Sequence, residues 1–244
     1  VNAALDADVG AHLLRWPEAA RLPAEGLEIY TLPYFLSEQE CAELIARIDA
    51  EREPSWTFDP PAADYRTSET CNLRRADPIV AAVETKLGTL TGIDTSRSET
   101  IQGQRYAAGQ EFKPHLDAFN IEGPHWPEQK RIGGQRTWTM MIFLNEPGEG
   151  GETRFPLAGV RVAPRTGLLL AWNNLRGDGL PNRQSLHQGV MVERGTKYII
   201  TKWYRERAYR PRRSLWARAK GRGRRLLSPI LGLDARLSTT PLPR

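Results

Sequence analysis

The sequence predicts a mainly β fold with flanking helices, of the kind built as a sandwich or jelly roll. Three observations predict it. From Glu99 onward, short β-rich runs are separated by Gly, Pro and Asn, the punctuation of antiparallel β folds. Two capped helical segments precede those runs, the order expected when helices brace one face of a β-sandwich. The length of 244 residues suits one decorated β domain.

Residues 1 to 26 carry no strong periodicity and are expected to wrap the domain or stay mobile. EIYTLPY, from Glu28 to Tyr34, reads as the first strand. SEQE, from Ser37 to Glu40, is a capping box, because Ser37 accepts from a free backbone N–H and Glu40 reaches back. The helix that follows, to about Glu51, has Cys41, Leu44, Ile45 and Ile48 on its apolar stripe. Asp77 followed by Pro78 marks a second helix start, since Asp caps and proline fits the first turn. That helix is expected to run to about Leu90 and stop near Gly92. Strands are then expected at 99–106, 137–145, 151–155, 160–163, 167–172, 185–192 and 197–204. Ala118 to Gln135 has Gly and Pro but no period and reads as a long inserted loop, with His125 and Trp126 as lid candidates. No internal repeat is present.

Apolar residues make up 40% of the chain and charged ones 26%, the balance of a globular protein rather than a disordered one. No apolar run approaches the roughly 18 residues that a membrane helix needs. No signal-peptide pattern opens the sequence, so a cytoplasmic location is expected. Cys41 and Cys71 have no metal-ligand spacing and read as reduced, partly buried thiols. The formal charge of +5 comes from one strip, Arg205 to Arg225, with ten basic residues and one acid; elsewhere 24 basic residues face 28 acidic ones. The body is therefore mildly acidic, and the charge gives no ground for nucleic-acid binding.

His115-Leu116-Asp117 places an imidazole and a carboxylate at i and i+2, which share a face if the segment is a strand. Such a pair equally fits a hydrogen-bonded core histidine beside a surface acid. A third donor would complete the two-histidine, one-carboxylate set of non-haem iron(II) oxygenases. His187, in the β-rich run SLHQGVMV, is the candidate among only four histidines. Lys197 follows ten residues later, and a turn near Glu193 to Gly195 would return it alongside the metal. A lysine inside a β core needs a counter-charge, which an anionic co-substrate would supply; a solvated edge-strand lysine is the plainer alternative.

Taken in order, YRTSETCNL (65–73), QRYAAGQEFKPHLDAFN (104–120), RTWTMMIFLNEPGEGGETRFP (136–156), GLLLAWNN (167–174), SLHQG (185–189) and KYIITKWYRER (197–207) resemble the prolyl-4-hydroxylase-type family of 2-oxoglutarate- and Fe(II)-dependent dioxygenases. The resemblance spans about 28–207, leaving 1–27 as an N-terminal extension and 208–244 as a basic tail. It implies a double-stranded β-helix, the cupin-like jelly roll. Its metal ligands would be His115, Asp117 and His187. Tyr106, with Thr153 beside it, would hydrogen-bond the far carboxylate of 2-oxoglutarate, Lys197 would ion-pair with it, and Trp203 would line the pocket near the iron. Arg66 and Ser68 would lie on a segment near the substrate.

The cofactor and co-substrates implied are Fe(II), 2-oxoglutarate and O₂, with ascorbate as an accessory reductant. The implied reaction hydroxylates an unactivated C–H bond, of a prolyl residue or another amino-acid-derived substrate, and releases succinate and CO₂. Halogenation is disfavoured because Asp117 occupies the position that related halogenases leave small. Nucleic-acid demethylation is disfavoured because Lys197 stands where that group has arginine. A free amino acid or small natural product as substrate stays open, and so, from a different class, does a non-catalytic jelly-roll binding module that uses the basic tail. The expected partner is thus a small-molecule or peptide substrate.

Overall fold

The computed structural model describes residues 9–55 and 65–211. All of them belong to one compact unit that ends at Pro211. The first half of the chain supplies α1 (Val9–Leu13), β1 (Ala20–Arg21), β2 (Ile29–Leu32), α2 (Glu38–Glu51), β3 (Glu53–Pro54), β4 (Glu69–Asn72), α3 (Pro78–Thr91), β5 (Gln102–Ala107) and β6 (Phe112–His115). The second half supplies α4 (Trp126–Ile132), β7 (Arg136–Phe143), β8 (Glu149–Gly150), β9 (Thr153–Phe155), β10 (Val160–Val162), β11 (Leu169–Asn173), β12 (His187–Gly189), β13 (Val192–Arg194) and β14 (Thr196–Arg205). A large antiparallel sheet runs β1-β2-β11-β7-β14-β5-β4-β3, a smaller one runs β10-β9-β12-β6, and β13 pairs with β8. Among the described residues no helix is long and apolar enough to cross a membrane.

Both expected long helices form, with the expected caps. Ser37 Oγ accepts from Glu40 N at 3.2 Å while Glu40 Oε2 accepts from Ser37 N at 2.9 Å. Asp77 caps α3 through Ile79 N, and Gly92 closes it at φ 68, the left-handed conformation that favours glycine. Cys41, Leu44 and Ile48 of α2 are buried, and Ile45 packs at the edge of the same core. Val9 and Leu13 of α1 join that core, while β1 extends the large sheet beyond β2, so residues 9–27 pack on the domain. At the other end, Tyr209 N and Arg210 N donate to Ser96 O and Ile132 O. The rest of the basic tail, from 212, lies outside the described residues.

Three expectations change. The segment 118–135 contains α4, whose only buried residues are Gln129 and Ile132; one buried apolar position in seven residues leaves no period to read. The run expected at 185–192 divides between two sheets, β12 and β13, with a register irregularity between His187 and Gly189. Lys197 therefore does not return on a hairpin beside His187. Its strand, β14, lies between β5 and β7 in the large sheet, and its side chain reaches the site across the sandwich.

The large sheet is covered on both faces. On β7, Trp138, Met140 and Ile142 pack toward the helices while Met141 and Phe143 point toward the small sheet. β11 divides in the same way, with Leu169 and Ala171 against Leu170 and Trp172. Close helix packing needs Gly103 on β5, where a Cβ would sit 2.5 Å from Ile48 Cγ1 and 3.1 Å from Cys71 Sγ. Gly103→Ala should overpack this contact and cost about 1–3 kcal/mol. Urea denaturation should show the lower midpoint, and an unchanged midpoint would mean that α2 is not seated against β5 as described.

Candidate active site

His115 ends β6 and His187 begins β12, and the two are direct cross-strand partners, which sets their ring centroids 4.2 Å apart. Asp117 lies two residues past His115 and just beyond the end of β6, so the shared strand face expected of the pair is replaced by a turn that brings the carboxylate inward. Its Oδ2 is 3.9 Å from His187 Nε2. One ligand atom from each of the three lies within 4.8 Å of the others. Two imidazole nitrogens and one carboxylate gathered this closely suit a divalent metal, and such a set with open positions is characteristic of non-haem iron(II).

Backbone carbonyls orient the imidazoles. His115 Nδ1 lies 2.8 Å from Lys113 O and His187 Nδ1 lies 3.0 Å from Ser185 O. A carbonyl only accepts, so each Nδ1 carries the proton and each Nε2 presents a lone pair to the site. Phe112 stacks on His115 at 3.5 Å, and Trp172 meets His187 edge-on at 4.7 Å. Burial, reinforced by the neighbouring His187, pushes the His115 pKa down to about 3, which keeps that ring neutral and available to a metal. Burial alone would raise Asp117, but the two histidines, Arg136 and the Thr139 hydroxyl outweigh it and hold the carboxyl below its ordinary range. Thr139 Oγ1 donates to Asp117 Oδ2 at 2.7 Å and accepts from Asn174 Nδ2 at 2.8 Å, so the carboxylate is held through two further strands' worth of structure.

The three residues open onto a cleft between the sheets. Tyr106, Thr153, Lys197, Trp203 and Arg66 all line it. Lys197 is 1% exposed. Its Nζ donates to Gly151 O at 2.7 Å and sits 4.9 Å from the centre of the Tyr106 ring. Burial pulls its pKa down to about 7, with no carboxylate among the described residues to oppose the shift. A buried ammonium in that condition fits the far end of a dicarboxylate co-substrate. The Tyr106 hydroxyl, however, turns to Gln104 Oε1 at 2.8 Å rather than toward Lys197, and Thr153 Oγ1 lies 3.9 Å from Met141 Sδ.

Arg66 Nη2 donates to Gln102 Oε1 at 3.1 Å, and the guanidinium lies over Phe112 at 4.8 Å. Ser68 is not on the cleft wall; its hydroxyl accepts from Arg66 Nε at 3.1 Å and meets Ser55 Oγ at 2.8 Å. Trp203 lies under Arg136 at 3.9 Å, and Arg136 is held by both oxygens of Glu99 at 2.7 and 2.9 Å. His125 and Trp126 do not line the cleft. The residues that sequence reasoning missed are Gln104, Thr139, Trp172 and Arg136. Alternation carried a signal for the first, because Gln104 and Tyr106 share one face of β5.

A model of the family described as the 2OG-Fe(II) oxygenase superfamily matches residues 101–205. Prolyl 4-hydroxylase 1 of Arabidopsis thaliana is 33% identical over 205 residues, covering 74% of this chain and 69% of that protein. Probable prolyl 4-hydroxylase 3 of the same plant is 34% identical over 194 residues, covering 69% and 66%. The chain thus spans about two thirds of the length of these curated relatives. The viral collagen prolyl hydroxylase of Paramecium bursaria Chlorella virus-1, solved with 2-oxoglutarate, superposes with a TM-score of 0.59 at 24% identity, covering 72% of this chain and 95% of that one. A Pseudomonas putida prolyl-4-hydroxylase superposes at 0.52 with 20% identity, covering 84% and 98%. The fold common to them is the jelly-roll double-stranded β-helix. The extent of these matches, together with a His-Asp-His group and a buried lysine in one cleft, shows that the chain belongs to the prolyl 4-hydroxylase family of 2-oxoglutarate- and Fe(II)-dependent oxygenases.

Proposed function

We propose that the protein hydroxylates an unactivated C–H bond of a prolyl residue in a peptide, consuming 2-oxoglutarate and O₂ and releasing succinate and CO₂. The observation that carries this reading is Lys197, a buried ammonium without a counter-anion, in the same cleft as His115, Asp117 and His187. The names of the Arabidopsis relatives support the prolyl substrate.

Iron(II) bound by those three residues supplies the oxidising chemistry. The protein's part is to bind, orient and exclude water. Lys197 neutralises the far carboxylate of 2-oxoglutarate, with Thr153 and the Tyr106 hydroxyl close by to complete its hydrogen bonds. Thr139 and Asn174 keep Asp117 aimed and ionised. Trp203, clamped by Arg136, forms the wall against which an apolar ring can lie. Arg66 stands ready for a substrate carbonyl, and Ser68 holds Arg66 rather than touching substrate.

His115→Ala should abolish metal retention and succinate release while leaving the thermal midpoint of the metal-free protein within a few degrees. Lys197→Met keeps most of the stem's packing and removes the charge. Leaving the far carboxylate buried without its partner should cost about 3–5 kcal/mol, or roughly a hundredfold to several-thousandfold in 2-oxoglutarate affinity. Metal content should not change, and an unaltered affinity would sink the assignment of Lys197.

A pH dependence follows from the same residue. In the free protein Lys197 titrates near 7, and a bound carboxylate raises that value. Below pH 7 the site is already charged; above it, binding must take up a proton, so affinity should fall by up to about tenfold per pH unit. Titration calorimetry at pH 6.5 and 8.5 reads this directly. Lys197→Met should lose the dependence, and a wild-type affinity that rises with pH would contradict it.

A further inference from the structure

The Tyr106 hydroxyl has one proton, and a chain of side chains outside the metal group decides where that proton goes. Arg66 has only donors, so the group that meets its Nη2 at 3.1 Å must be the oxygen of the Gln102 carboxamide. That oxygen lies 3.4 Å from the Gln104 carboxamide, which must therefore offer it nitrogen. The same nitrogen donates to Thr201 Oγ1 at 3.0 Å. With its nitrogen end fixed by two acceptors, Gln104 has only its oxygen left for Tyr106, and the phenol donates to it at 2.8 Å. Gln104 is 5% exposed and Tyr106 is 2% exposed, so water does not readily replace either partner. All five residues except Gln102 line the cleft.

We propose that Gln104 is a positioning residue that holds the Tyr106 proton away from the co-substrate subsite and thereby limits the affinity for 2-oxoglutarate. This rests on the reading of that subsite given above. When the far carboxylate arrives, Tyr106 donates to it only by leaving Gln104 Oε1, while Ser68 and Arg66 stay against the phenol oxygen. One hydrogen bond is exchanged for another, and the Tyr106 contact contributes little net affinity. The orientation of Gln104 is set in turn by Arg66 through Gln102, so a substrate that draws Arg66 away loosens the hold. Substrate and co-substrate binding then become mutually favourable.

The test uses the full-length protein loaded with Mn(II), with 2-oxoglutarate affinity read by anaerobic titration calorimetry and the metal-free melting point as a check on folding. Gln104→Met keeps the length of the side chain without the strong acceptor and should tighten 2-oxoglutarate binding by roughly three- to tenfold, the worth of one neutral hydrogen bond. Tyr106→Phe should change the affinity less than threefold in the wild-type background but weaken it by roughly three- to tenfold in the Gln104→Met background, because only there is the Tyr106 contact not offset. Additive effects of the two substitutions, or an affinity in Gln104→Met equal to or weaker than wild type with the melting point preserved, would overturn the proposal. Should Gln104→Met misfold, Gln104→Glu serves instead: an added anion at this point should weaken 2-oxoglutarate by more than tenfold, and an unchanged affinity counts against the proposal. Lys197→Met, measured alongside, separates the two ideas. A normal affinity in that variant removes the subsite itself, whereas a large loss there with additivity at Gln104 and Tyr106 removes only the hold on the proton.

Discussion

A β-strand sends successive side chains to opposite faces, and in β7, β11 and β14 both faces are covered, so each strand serves two interiors at once. One interior is the apolar core under α1, α2 and α3. The other is the cleft. On β14 Ile200 and Tyr204 belong to the first, while Lys197, Ile199, Thr201 and Trp203 belong to the second. A slip of one residue in the register of β14 would exchange the sets, taking Lys197 out of the cleft and turning Tyr204 and Lys202, which here pairs with Glu84 of α3, into it. The positions of the functional side chains are thus fixed by the packing of the other face.

This double burial also explains which parts of the architecture were legible in the chain. α2 and α3 carry local signals, a capping box and an Asp-Pro start, that act within one turn and do not depend on tertiary context. The metal group was legible because the search among four histidines was short and the ordered blocks around His115, Asp117 and His187 resemble the family; spacing by itself fitted a core histidine beside a surface acid as well. The route of Lys197 to the site was not. A hairpin return and a crossing of the sandwich give the same sequence spacing, and only strand order separates them. The helix Trp126–Ile132 was equally hidden, since its stability comes from contacts such as Gln129 with Arg205 rather than from an apolar stripe. Thr139 and Asn174 lacked any signal at all, because a buried hydroxyl and a buried amide become meaningful only beside Asp117.

Within the cleft, polar groups fall into two kinds. Some are satisfied by the protein itself: both histidine Nδ1 atoms by backbone carbonyls, Asp117 by Thr139, and Arg136 by Glu99. These are the groups whose geometry must not change when ligands enter and leave. Glu99 illustrates how firmly such pairs are set, since burial would raise its pKa but Arg136 and Arg205 together hold it below the ordinary carboxylate range. The clamp extends to the cleft wall, because Arg136 lies against the face of Trp203 and restricts where that ring can move.

Lys197 is of the other kind, and its condition has a thermodynamic meaning for the fold. A cation desolvated without a counter-charge opposes folding: the penalty is full below about pH 7, where folded and unfolded chains both carry the proton, and fades as pH rises toward the unfolded value near 10.4. The protein tolerates this because its stability is invested elsewhere, in the helix-covered face where Leu44, Ile48, Val80, Val83, Leu87 and Leu90 are all fully buried. Co-substrate binding relieves the unfavourable charge, so part of the affinity at this site is the recovery of a penalty already present in the free protein. That recovery is selective. A neutral molecule of the same shape would leave the ammonium as it was, and a monocarboxylate that bound the metal would not reach it. A ligand with two carboxylates, one for each end of the cleft, is the one that this distribution of charge favours.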